Sequence, residues 1–94
     1  MANPIVGEKE TFVMTFTDSD GTATDPTDVT LQVKVAETTT TYTYSLAEIT
    51  KDSTGVYSKE ITYSTAGWLY WEWQGTGTVA VVTNGNKYVE AQLL

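Results

Sequence analysis

The chain contains no cysteine, no histidine and no arginine. Without cysteine there are no disulfides and no thiolate metal site. Without histidine, imidazole acid–base chemistry, Ser-His and Cys-His nucleophile pairs and His-ligated zinc are excluded. Without arginine there is no planar, bidentate phosphate clamp. Positive charge is scarce altogether: five lysines stand against 12 acidic residues, for a formal net charge of −7. DNA and anionic membrane surfaces repel such a domain at long range, so neither is an expected partner. The acids are spread along the chain and read first as solubilising charge. No apolar run approaches membrane-spanning length. The start, Met1-Ala2-Asn3-Pro4-Ile5-Val6, lacks the basic head and apolar core of a signal peptide. The expectation is a soluble chain made in a cytoplasm, which leaves an assembly released from the cell open as its final address.

What the sequence does contain favours strands. Threonine makes up about a fifth of the 94 residues, and with Val, Tyr and Trp it gives a β-rich composition. The length suits one domain with a modest core. Residues 1–7 read as an N-terminal arm, since Pro4 cannot donate to a ladder while Ile5 and Val6 offer something to dock. Residues 8–94 read as a single domain. Apolar residues recur with period two: Phe12, Met14 and Phe16 in Lys9 to Thr17, and Val29, Leu31, Val33 and Val35 in the next strand. A third strand is expected from Thr39 to Leu46, with Tyr42, Tyr44 and Leu46 on one face. Ile49 is placed to plug the core as the chain changes sheets. A fourth runs from Val56 to Tyr63, with Tyr57, Ile61 and Tyr63 sharing a face with Lys59. Asn84-Gly85, the dipeptide most typical of a type I′ hairpin, predicts a turn between strands Thr78–Thr83 and Lys87–Leu93.

The densest segment is Trp68-Leu69-Tyr70-Trp71-Glu72-Trp73, which holds all three tryptophans. As a strand it points Leu69, Trp71 and Trp73 one way and Trp68, Tyr70 and Glu72 the other. Only the first set lacks polar residues, so it is assigned to the core together with Leu31, Val33, Tyr44 and Ile61. The second set becomes the first candidate for a contact surface, with Pro4, Ile5 and Val6 as a second contact. Six to eight short strands with turns about every ten residues fit an all-β, two-sheet antiparallel sandwich of immunoglobulin-like or fibronectin-like type; a small closed barrel is the structural alternative.

Several segments, in order, resemble small immunoglobulin-like proteins encoded among the structural genes of tailed bacteriophages. They are Asp25-Pro26-Thr27-Asp28-Val29-Thr30-Leu31, Thr41-Tyr42-Thr43-Tyr44, Asp52-Ser53-Thr54-Gly55-Val56-Tyr57, and Gly67 through Gly77 with its ending Trp73-Gln74-Gly75-Thr76-Gly77. The resemblance covers about Val6 to Gly77. It implies an immunoglobulin-like sandwich in a virion: a capsid decoration subunit, a head–tail junction protein or a tail accessory protein. The implied partners are the major capsid protein or other virion proteins, with a homo-oligomer on the particle as a further arrangement. The chain departs from the pattern at Trp68, where relatives commonly carry a small or polar residue.

Other candidates have plainer readings. Asp18-x-Asp20-Gly21 looks like the start of a calcium loop, with Asp25 and Asp28 nearby, but lacks the distal bidentate glutamate; a plain turn is the expectation. Glu48, Asp52, Glu60 and Glu72 show no spacing that pairs two of them as a glycosidase couple. Ser53 and Ser58 have no base partner. No cofactor and no enzymatic activity are predicted. The leading expectation is a capsid decoration subunit, followed by a junction or tail subunit. A carbohydrate-binding module for host adhesion is the alternative from a different class, because exposed aromatics also stack on sugars.

Overall fold

The alternation of apolar and polar residues becomes two stacked antiparallel sheets. The computed structural model describes residues 3–93; Met1 and Ala2 of the expected arm, and Leu94, lie outside them. Seven strands follow in chain order: β1 (Lys9–Thr15), β2 (Asp28–Val35), β3 (Thr38–Thr43), β4 (Thr50–Ser53), β5 (Val56–Thr62), β6 (Gly67–Thr76) and β7 (Val81–Val89). The smaller sheet has the order β1-β5-β4 and the larger β3-β2-β6-β7. Among the described residues, no helix is long and apolar enough to cross a membrane.

The period-two pattern of β2 puts Val29, Leu31 and Val33 between the sheets, facing Phe12, Phe16, Tyr57, Ile61 and Tyr63 of the other layer. From β6, Leu69 and Trp73 join them, and Trp73 is among the largest fully buried side chains. Full burial of groups this size contributes about 1.5–3 kcal/mol each. Trp71 shares the inner face of β6 but is only partly buried, meeting Phe12 edge-on at a centroid distance of 6.1 Å. Lys59 also points inward, and its ammonium reaches over the Tyr42 ring at 4.7 Å. Ile49 is buried between β3 of the larger sheet and β4 of the smaller.

Two expectations are corrected. Asn84-Gly85 is not a turn. Both residues lie inside the nine-residue strand β7, which pairs with β6 without a break from Gly67↔Val89 to Gly75↔Val81. The reason is Trp71. It stands directly opposite Gly85, and a Cβ on Gly85 would lie 2.5 Å from Trp71 Cζ2. The bare glycine gives the indole its seat, and the chain reverses earlier, through Gly77 at φ +84°. Tyr44 is likewise not a core residue. The third strand stops at Thr43, and Tyr44–Leu46 form a 3-10 turn. Ala47 closes that turn in the left-handed region, and the Glu48 N–H donates to Thr43 O. The period-two alternation therefore ends before Tyr44, whose ring is 37% exposed and leans edge-on against Tyr57 at 5.2 Å.

Candidate functional site

Pairing across the larger sheet decides which outward side chains become neighbours. Trp68 on β6 stands opposite Tyr88 on β7, and their rings meet edge-on at 5.5 Å. In the next row Lys34, Tyr70 and Asn86 align across β2, β6 and β7, followed by Gln32, Glu72 and Asn84. Gln74 and Val82 form a further row. The three aromatic rings at one end of this face stay wet: Trp68 is 55% exposed, Tyr70 51% and Tyr88 41%. Val82, also exposed, adds apolar surface at the other end.

Between these groups runs a groove of about 380 Å³, lined by Gln32, Lys34, Tyr70, Glu72, Asn84 and Asn86. With Thr39 and Trp71, which also line it, the wall combines two aromatic residues, three amides, a hydroxyl, one carboxylate and one ammonium. Such a set can hydrogen-bond and stack with a ligand.

Trp68, Tyr70 and Glu72 thus lie together on the outer face of the larger sheet. The arm residues are held elsewhere, along the edge of β7. Ile5 forms a parallel bridge with Glu90; the Val6 N–H donates to Glu90 O at 2.9 Å, and the Glu90 N–H to Pro4 O at 2.8 Å. Val6 packs against the core while Ile5 stays exposed. Glu90 lies just beyond Tyr88 in sequence, so the arm is tied down at the aromatic end of the sheet. Tyr88 and Val82 were missed from sequence as members of this face. The signal was there, in the alternation of Val82, Asn84, Asn86 and Tyr88, but reading Asn84-Gly85 as a turn cuts it in two.

The aspartates near the first loop are engaged in holding turns. Asp18 Oδ1 accepts from the N–H groups of Asp20 at 2.9 Å and Thr22 at 3.0 Å, and these bonds hold its carboxyl below the usual range. Asp25 accepts from Lys51 Nζ at 2.6 Å, the Gly55 N–H at 2.7 Å and the Tyr57 hydroxyl at 3.3 Å. The Lys51 bond is the main cause of its lowered pKa. Asp28 accepts from the Ser45 hydroxyl and N–H, pinning the 3-10 turn to the start of β2. Glu48 accepts from the Thr43 N–H. Asp20 contributes only its backbone to the Asp18 turn. Among the described residues, no three acidic, His or Cys side chains converge as a metal site.

On the other side of the molecule, Glu10, Tyr63 and Lys87 bridge the two sheets. Lys87 Nζ donates to Glu10 Oε2 at 2.8 Å and lies 4.8 Å from the Phe12 ring centroid, and the Tyr63 hydroxyl donates to Glu10 Oε1. Partial burial pushes the Glu10 carboxyl up, but the bonds from Lys87 and Tyr63 and the lysine charge outweigh it and bring it below its ordinary value. Burial, then the bond to Glu10, pushes the Tyr63 hydroxyl well up. This cluster ties the layers together and leaves the outer aromatic face as the candidate binding surface. Comparison with protein-family models, curated proteins and solved structures finds no match to this chain.

Proposed function

We propose that this chain is a non-enzymatic, immunoglobulin-like structural subunit of a tailed-phage virion, most specifically a capsid decoration protein. It docks on the capsid lattice through the outer face of its larger sheet and reinforces the lattice by burying surface there. The single observation that carries the docking surface is the cluster of Trp68, Tyr70 and Tyr88, three exposed rings on a sheet face that the protein itself leaves uncovered. Exposed Trp and Tyr are the side chains most often found as interface anchors. The virion assignment rests on the ordered resemblance between Val6 and Gly77.

The strand order supports the immunoglobulin-like assignment. In that scheme β1, β5 and β4 take the places of strands B, E and D. β3, β2, β6 and β7 take those of C′, C, F and G. A head–tail junction or tail accessory place uses the same surface, and copy number separates the possibilities. Quantitative mass spectrometry of purified particles is expected to find a copy number matching the capsid lattice; one matching a single ring assigns the junction or tail instead. Complete absence from particles refutes the virion reading. Trp68→Ala is expected to weaken particle binding by about 2 kcal/mol, roughly 30-fold, as for an interface anchor, without altering the fold.

A second reading has its own observation. The groove beside Tyr70 presents the amides of Gln32, Asn84 and Asn86 and the Glu72 carboxylate next to an aromatic ring, a set suited to sugar hydroxyls. A glycan-binding screen with wild type and Tyr70→Ala tests it. Glycan binding lost in that variant favours a carbohydrate-binding module for host adhesion over the capsid reading.

A further inference from the structure

A sheet edge is a row of unpaired backbone N–H and C=O groups, and folded proteins blunt it with charge, proline, bulges or a cover. The four edges of this sandwich differ sharply in that respect. β1 carries Lys9 and Glu10. β4 is four residues long, carries Lys51 and Asp52, and breaks register between Lys51 and Ser53. β7 turns Lys87 onto Glu10, and just beyond its last residue the arm pairs with Glu90. β3 has none of these devices from Thr38 to Tyr42; only its last residue is covered, where Glu48 accepts from the Thr43 N–H and donates its own N–H to Thr43 O. Its sequence is Thr38-Thr39-Thr40-Thr41-Tyr42-Thr43, uncharged, free of proline and in unbroken register with β2 over all six residues. Thr38 to Thr41 are exposed whichever face they point to, so nothing in the smaller sheet covers this part of the strand. Threonine and tyrosine are strong strand formers, so this edge is well shaped to receive another strand.

We propose that β3 is a self-association edge. Two copies of this chain pair β3 against β3, antiparallel about a two-fold axis, and join their four-stranded sheets into one continuous sheet. The occupant is a second copy because the edge is complementary to itself. With the axis at Thr40, Thr39 of each copy stands opposite Thr41 of the other. An axis at Thr41 sets Thr39 against Thr43, whose N–H and C=O are already taken by Glu48, so the Thr40 axis gives the register. This register sets threonine against threonine on the outer face, a favourable cross-strand pair, and brings no charged strand residue opposite another. In a chain of net charge −7, like-charge repulsion opposes self-association, and an acid-free edge keeps that repulsion away from the paired strands. The acids nearest in the chain, Glu37 before β3 and Glu48 at the Thr43 N–H, sit at its two ends, and in this register Glu37 of one copy approaches Glu48 of the other. Their repulsion and that of the whole chain are screened by salt, so the dimer strengthens as ionic strength rises. The inference does not depend on the virion reading.

Sedimentation equilibrium of the full chain, over a range of concentrations at low and high sodium chloride, tests it. Wild type is expected to show a monomer–dimer equilibrium that shifts toward dimer with salt. Thr41→Lys, which sets a lysine on an exposed edge position opposite Gln32 of β2, is expected to be monomeric with little change in melting. Trp68→Ala is expected to remain dimeric. Should the lysine variant fold poorly, the cysteine-free background offers a second readout. Thr40→Cys, on the two-fold axis, is expected to cross-link to a disulfide dimer faster than the loop control Thr22→Cys. A wild type that is monomeric at every concentration and salt overturns the proposal. So does a dimer lost in Trp68→Ala but kept in the lysine variant, or a Thr40→Cys variant that cross-links no faster than the control. A monomer that pairs β3 only with a strand of another protein overturns it as well.

Discussion

The hairpin joining β2 to β3 turns through Ala36 and Glu37, with φ of 49° and 72°. Two residues with positive φ in a two-residue connection are the mark of a type I′ turn, whose backbone twist matches that of the flanking strands. Neither residue is suited to that region. An L-residue with a Cβ costs about 1–2 kcal/mol there relative to the right-handed region. Glycine removes that cost at Glu37 but gives back about 0.5–1 kcal/mol through the greater freedom of the unfolded chain. The difference gives an expected stabilisation of about 0.5–1 kcal/mol for Glu37→Gly. For a domain of this size that is a rise in Tm of about 2–8 °C. Thermal melts followed by circular dichroism measure it, with Glu37→Ala as control. Alanine removes the charge but keeps the Cβ, so its Tm is expected to stay close to wild type. If the two variants melt together, charge and not backbone conformation accounts for the effect, and the reasoning fails.

Two further outcomes follow from features of the core and the inter-sheet bridge. Gly85→Val puts side-chain carbons where the Trp71 indole lies, with the Cβ alone 2.5 Å from Cζ2. Overpacking of this kind is expected to cost about 1–3 kcal/mol in urea unfolding, and unchanged stability would show that the ring has somewhere else to go. Glu10 has a folded pKa below its ordinary value of 4.5, so its contribution is fully present above that pH and is lost as pH falls through the lower folded value. Glu10→Gln is therefore expected to lower stability at neutral pH and to flatten the acid side of a pH–stability curve. The effect is modest, because the carboxylate is 43% exposed; a curve that drops as steeply in the variant contradicts the assignment.

The sequence made some elements legible for reasons that can be named. In β2 every second residue is apolar, and the strand is covered by the other sheet along its length, so pattern and burial agree. β6 is similar: the absence of polar groups among Leu69, Trp71 and Trp73 points to its inner face. β4 has no such signal. Thr50, Lys51, Asp52 and Ser53 form an exposed edge strand with no buried residue, and it exists because β5 supplies hydrogen-bonding partners that a one-dimensional pattern does not reveal. Asn84-Gly85 failed for the opposite reason. Its strong local preference for a turn is overridden by Trp71, a residue distant in sequence that needs the glycine as a gap. Tyr44 failed because the alternation from Tyr42 to Leu46 continues in the letters after the backbone has turned. The outer aromatic pair Trp68 and Tyr70 could be read from the strand period alone, whereas Tyr88 joins them only once β7 is seen as continuous.

The spacing of the three tryptophans along β6 has an optical consequence. Trp73 is sealed in the core, Trp71 is half-covered over Gly85, and Trp68 stands in water beside Tyr88. One strand therefore carries three fluorophores in three media. Acrylamide quenches the outermost first, unfolding red-shifts the innermost, and any partner that covers the outer face blue-shifts Trp68 while leaving Trp73 unchanged. The intrinsic emission thus reports docking and folding as separate signals from the native chain.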